Sequence, residues 1–204
     1  MFGDVMQDSP ARDKQQQFEA YFMIKHDLQA NLRVMDADFE LPEVDELVQH
    51  MPHAFQVASE LASIESKSLR SLRGLADHAN ELVEIINQQS RKIDLMMSLI
   101  LQQQTDRTAL YTAERFGGAG IVMRSEHVIA VGSIVELRLF IPEESAAIFC
   151  YAEAIDTIEV NGMNHVSLLF TCIREQDQDL LVRASLHFQA VNLRKLKQQK
   201  NEQH

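Results

Sequence analysis

The sequence predicts an α+β protein: a small antiparallel β-barrel, a long paired-helix region and a closing C-terminal helix. Two observations carry this expectation. Between Val44 and Ile100 the apolar residues recur at alternating steps of four and three, a helical heptad seam. After Thr105 the period drops to two, and short strand-like runs alternate with glycine turns.

Each element can be justified in order. Residues 1–17 are polar and pattern-free, which predicts a flexible tail. "FEAYFMIKHDLQANLRVMD" then reads as extended chain (18–38), with Leu28, Ala30 and Leu32 alternating against polar neighbours. Pro42 closes this section, and a helical region assigned to 40–105 follows.

The seam begins Val44, Val48, Met51, Phe55, Ala58, Ala62 and continues through Leu72, Ala79, Val83, Ile86, Ile93, Met97 and Ile100. Only Glu65 and Ser90 interrupt it. Unbroken register argues for one continuous helix. Three features argue for a break: Pro52 must kink a helix or begin one, Gly74 with Asp77 offers a stop and a new start, and the flanking charges suit two helix dipoles. The hairpin is the reading adopted. Its second helix is apolar well beyond the seam, adding Leu82, Ile85, Leu95, Met96 and Leu99, so one partner helix would not cover it. Isoleucine at successive d-type positions (Ile86, Ile93, Ile100) disfavours a simple parallel dimer and favours a higher-order bundle.

Beyond the seam, "ALYTAERF" and "GIVMRS" read as strands, and "HVIAVGS" leads into a turn at Gly132-Ser133. "IVELRLFIP" puts Val135, Leu137, Leu139 and Ile141 on one face. A long strand "AIFCYAEAIDTIEV" meets "HVSLLFTCI" across the hairpin turn "NGM". From Asp177 the pattern is helical, with Leu180, Ala184, His187 or Phe188, and Val191 on one side, and residues 194–204 read as a polar, fraying tail.

Composition narrows the function classes. A net charge of −11 disfavours nucleic acid and anionic membranes, whose affinity rests on Lys and Arg. No apolar run is long enough to span a bilayer and no signal-peptide core is visible, so a cytoplasmic protein is expected. Cys150 and Cys172 lack metal spacing and read as small buried hydrophobes. His50 and His53 in "HMPH" have helical metal spacing, but Pro52 lies between them. "GGAG" is followed by no Gly-Lys-Ser/Thr, and no nucleophile elbow or zinc motif occurs. No catalytic residue, metal or cofactor is assigned. The cluster Arg194, Lys195, Lys197 and Lys200 reads as the cationic end of a helix or a patch for an acidic partner.

Taken together, "TAERFGGAGIVM", "VGSIVELRLFIP", "AEAIDTIEV", "NGMNHVSLLF" and "REQDQDLLVRAS" resemble a PilZ domain over about Ala109 to Leu193. "FEAYFMIK" resembles that family's opening segment. The resemblance implies a six-stranded barrel, with residues 106–193 supplying its remainder and terminal helix and the helical region inserted into it. It also implies bacterial signalling linked to the second messenger cyclic di-GMP. The heptads are similar to those of PilZ proteins that assemble tetramers through two long extra helices, so a homo-oligomer, with a tetramer favoured, is expected.

Receptors of that family use an RxxxR motif and a D/NxSxxG motif: guanidinium forks for phosphate, polar groups for the base edge, and glycine for close approach. Here Ala113 falls where Asp or Asn belongs, and Arg115 where Ser belongs. Shifting by one residue gives Glu114 and Phe116, while the early arginines become Glu19 and Met23. The loop Arg115, Gly117, Gly118 and Gly120 is therefore the candidate site, expected to keep turn geometry without its ligand. A minority reading keeps Arg115 as a phosphate contact. The expected function is that of a non-enzymatic oligomeric adaptor with a protein partner.

Overall fold

A computed structural model describes residues 10–61, 89, 93, 96, 110–141, 144 and 146–202. Its strands are β1 (Met23–Val34), β2 (Leu110–Gly117), β3 (Gly120–Ser125), β4 (Ile134–Ile141), β5 (Ala146–Val160) and β6 (Met163–Cys172). The described helices are α1 (Pro10–Ala20), α2 (Leu47–His50), α3 (residues 53–61) and α4 (Glu175–Glu202). All strand pairs are antiparallel and close a barrel in the order β1-β2-β3-β6-β5-β4. Since β1 and β2 are neighbours, the chain leaves the barrel after Val34 and re-enters at Leu110.

Alternation explains the interior. Val135, Leu137, Leu139 and Ile141 on β4 are wholly buried, facing Ile148, Cys150, Val166 and Leu168 in one cluster. Each such side chain contributes about 2 kcal/mol on removal from water. The β5–β6 hairpin turns at Asn161 and Gly162, both at positive φ (54° and 78°), the pair of left-handed positions that Asn-Gly favours. Helix α4 plugs the barrel: Leu181, Ala184 and Phe188 join the interior cluster, and the His26 ring stacks on Phe188 at 4.0 Å.

The outside of the barrel is also covered, which is why β5 opens on seven buried residues in a row. Leu47, Met51, Ala54, Phe55 and Ala58 lie on Ala147, Phe149, Tyr151 and Cys172. Pro52 separates α2 from α3 as its chemistry requires. Met51 before it is extended, and the Phe55 and Gln56 amides donate to the Pro52 carbonyl at the start of the new helix. The Gln56 side chain donates from Nε2 to the Val48 and Met51 carbonyls, closing the end of α2.

Four expectations need correction. Residues 10–17 are helical, not a flexible tail, because Phe18 (4% exposed) anchors α1 on Ala119, Val122 and Leu169 and Lys14 pairs with Glu153 at 2.7 Å. Phe18 to Ala20 continue that helix, so extended structure starts at Met23. The first turns of the seam are not all free for a helical partner: Met51, Phe55 and Ala58 pack on the barrel, while Val44 and Val48 are exposed. Finally, α4 runs through Glu202 where fraying was expected from residue 194. The break at Gly74, and seam residues Leu72, Ala79, Val83, Ile86, Met97 and Ile100, lie outside the described residues. Ile93 and Met96 are helical and exposed.

Candidate functional site

The glycine loop joins β2 to β3, and two bulges shape its approach. One breaks β1 between Lys25 and Leu28, the other breaks β2 between Ala113 and Arg115. An inserted residue sends two successive side chains the same way. Glu114 and Arg115 thus both leave the interior between buried Ala113 and Phe116. Glu114 meets His165 Nδ1 at 3.1 Å across the barrel wall. Arg115 is exposed and pairs in register with exposed Lys25.

Each of the three glycines gives up its side-chain space to the chain itself. A Cβ on Gly117 would strike the carbonyl oxygen of Phe22, and one on Gly120 would strike that of Leu168 and reach the Phe18 ring at 2.5 Å. On Gly118 it would meet a Val182 methyl at 2.6 Å and the Tyr21 ring at 3.2 Å. The Gly118 carbonyl accepts from Gln178 Nε2 at 2.9 Å, so α4 holds the loop as well. Close approach is what these glycines permit, and α1, the turn after it and α4 are what approaches.

The expected motif positions fall apart in space. Ala113 is wholly buried in the barrel interior and presents nothing outward. Glu19 lies on α1 and accepts from Gln15 Nε2 at 2.7 Å, while Met23 is half-buried against the Phe18 cluster. Phe18, Tyr21 and Phe22 are the residues that sequence reasoning missed. Only Phe18 lies on α1, and Tyr21 and Phe22 follow in the turn after it, so no period of one element marks the three together.

Elsewhere, two charged centres are built into the barrel. Buried Glu136 accepts from Arg33 at 2.8 Å and from Arg138 Nε at 2.8 Å, clamping β1 to β4. At the start of α4, both carboxylate oxygens of Asp177 accept from Arg174, at 2.8 and 3.0 Å. Burial pushes the Asp177 carboxyl up from its ordinary value, while the hydrogen bond and charge of Arg174 pull it down. Burial, reinforced by Asp177, also raises the Cys150 thiol well above its usual value.

The Asp177 shift has a sign that can be tested. A carboxyl that binds its proton more tightly folded than unfolded adds stability at low pH. That contribution is complete below the unfolded value, about 4, and is lost as pH rises through the raised folded value. Asp177→Asn cannot titrate and should flatten that part of the stability–pH curve in urea titrations. Equal slopes in wild type and variant would remove the assignment.

His50 lies 6.4 Å from the Tyr151 ring, edge to face, and His53 is exposed. No cluster of three metal-binding side chains occurs among the described residues. None of the described helices is long and apolar enough to cross a membrane.

No family model matches this chain, and no curated protein does. Among solved structures, it is similar to a pathogenic protein from Xanthomonas campestris, described as a new tetrameric PilZ domain self-assembled via an unusual helical bundle. That match covers 90% of this chain and 97% of the other at 20% identity, with a TM-score of 0.54. A second similar structure is the Bacillus subtilis inhibitor of motility, MotI/DgrA, at 17% identity over 40% of this chain and 42% of that one, with a TM-score of 0.37. The closed six-stranded barrel, its strand order and its plugging C-terminal helix give this chain the fold of a PilZ domain.

Proposed function

We propose that this protein is a non-enzymatic, oligomeric PilZ-like regulator in the bacterial cytoplasm, an adaptor in cyclic di-GMP-linked signalling that acts through protein contacts and does not itself bind the nucleotide. The observation that carries the reading is the glycine loop, whose open space is taken by Phe18, Tyr21, Phe22 and Val182. Ala113, which one fit of the motif puts where Asp or Asn belongs, lies in the interior and offers a base edge no polar group. Self-association is supported by Ile93 and Met96, which are 38% and 57% exposed in a single chain. The Xanthomonas protein, matched over nearly its whole length, assembles a tetramer through helices. Several barrels on one bundle would present repeated surfaces to a partner and raise avidity without new contacts.

One observation favours a second reading. Arg115 and Lys25 are exposed register partners beside the loop, and two adjacent cations can hold a phosphate. Calorimetric titration of the full-length protein with cyclic di-GMP separates the two. The adaptor reading expects no binding heat. Micromolar or tighter binding that disappears in Arg115→Ala would replace it with a receptor.

A further inference from the structure

Two exposed surfaces outside the barrel interior and the glycine loop are opposite in charge. The first is the outer half of α4. Phe188 is its last buried residue among those described up to Gln198, and every side chain from Asn192 to Gln198 is exposed. About 20 Å of helix therefore projects past the barrel at the usual rise per residue. Leu186, Leu193 and Leu196 are 52–56% exposed, and their spacing of seven and three puts them on one line. Exposed Arg194, Lys195 and Lys197 flank that line.

The second surface is the segment that leaves β1. Residues 36–48 hold six carboxylates (Asp36, Asp38, Glu40, Glu43, Asp45, Glu46) and no Lys or Arg. Met35, Phe39 and Leu47 pin the segment to the barrel, and Leu47 is wholly buried. On its outer side Val34, Leu41, Val44 and Val48 are 41–49% exposed. The segment thus carries exposed apolar side chains among its carboxylates.

We infer that the outer half of α4 from one copy docks on the acidic segment 36–48 of a second copy. Leucines would cover Leu41, Val44 and Val48, while Arg194, Lys195 and Lys197 face the carboxylates. Within one subunit both surfaces stand open to solvent, so neither covers the other. Charge also selects the partner. Two chains of net charge −11 repel in most orientations, and the cationic helix end meeting the carboxylate row is an orientation in which they attract. This contact is separate from the helical bundle proposed above and would join copies at a different place.

Sedimentation of the full-length protein across a salt series tests it, with three variants. Lys195→Glu with Lys197→Glu, and separately Glu40→Lys with Glu43→Lys, should each weaken the salt-sensitive association about tenfold. Both pairs combined in one chain should bring association back towards wild type. The altered side chains are exposed, so thermal melts should not move, and this separates lost docking from lost folding. Association unchanged in either single pair, or not restored in the combination, overturns the inference. The bundle reports independently: an oligomer that persists at high salt while the reversals do nothing keeps the bundle and removes this contact. A chain that is monomeric at high salt and associates at low salt through these charges does the opposite.

Discussion

Gly120→Ala should destabilise the protein by about 3 kcal/mol, at the upper end of the cost of overfilling a packed site. The new methyl would lie against the Leu168 carbonyl oxygen and within 2.5 Å of the Phe18 ring. The carbonyl is backbone in β6, held by the β3–β6 ladder in which Gly120 pairs with Leu169, so it cannot yield without disturbing the barrel. Phe18 cannot yield without lifting α1 from Ala119 and Val122. Gly117→Ala faces a similar obstacle in the Phe22 carbonyl. Gly118→Ala should cost less, about 1 kcal/mol, because it meets side-chain atoms of Val182 and Tyr21 and no backbone. Denaturant unfolding of the three variants should therefore rank Gly120 and Gly117 well above Gly118. A loop kept only for a ligand would tolerate all three with little loss, and a Gly120→Ala protein that unfolds like wild type would show that packing does not explain these glycines.

The parts of the fold visible in the sequence were those where one local rule decides. Alternation alone places Val135, Leu137, Leu139 and Ile141 inside, and Asn161-Gly162 is a turn because both positions demand positive φ. Pro52 had to kink a helix or begin one, and the structure shows the second, with α3 starting directly after it. What stayed hidden depends on contacts between distant segments. The helix at residues 10–20 has one strong apolar anchor, Phe18, and its patch is assembled from β3 and β6. The paired bulges in β1 and β2 put Glu114 and Arg115 outside together, which no period of two allows. Met51, Phe55 and Ala58 fit a heptad equally well whether the surface they meet is a helix or a barrel wall. For the candidate site, the missing polar residues were readable directly, whereas the filling of the glycine space by Tyr21, Phe22 and Val182 required the tertiary structure.

Ile93→Asp should convert the proposed oligomer to monomer. In a single chain Ile93 is 38% exposed and Met96 three residues on is 57% exposed, so an aspartate here remains hydrated and costs the isolated subunit little. In a bundle the same carboxylate would be enclosed by apolar neighbours with no cation supplied to meet it. An unpaired buried charge costs about 3 kcal/mol or more, which is over a hundredfold in a dissociation constant, and every subunit would contribute its own. Ile86→Asp, on the same seam, should act in the same direction. Val128→Asp is the matching control, since Val128 is 76% exposed on the loop between β3 and β4 and is no part of the heptad seam. Sedimentation at micromolar concentration should show the Ile93 variant at monomer mass, the Val128 variant at wild-type mass, and all three proteins with the same circular dichroism. If the Ile93 variant keeps the wild-type mass, that position is not enclosed between subunits. If wild type is already a monomer, the exposed seam serves some purpose other than joining copies, and the adaptor loses its multivalency.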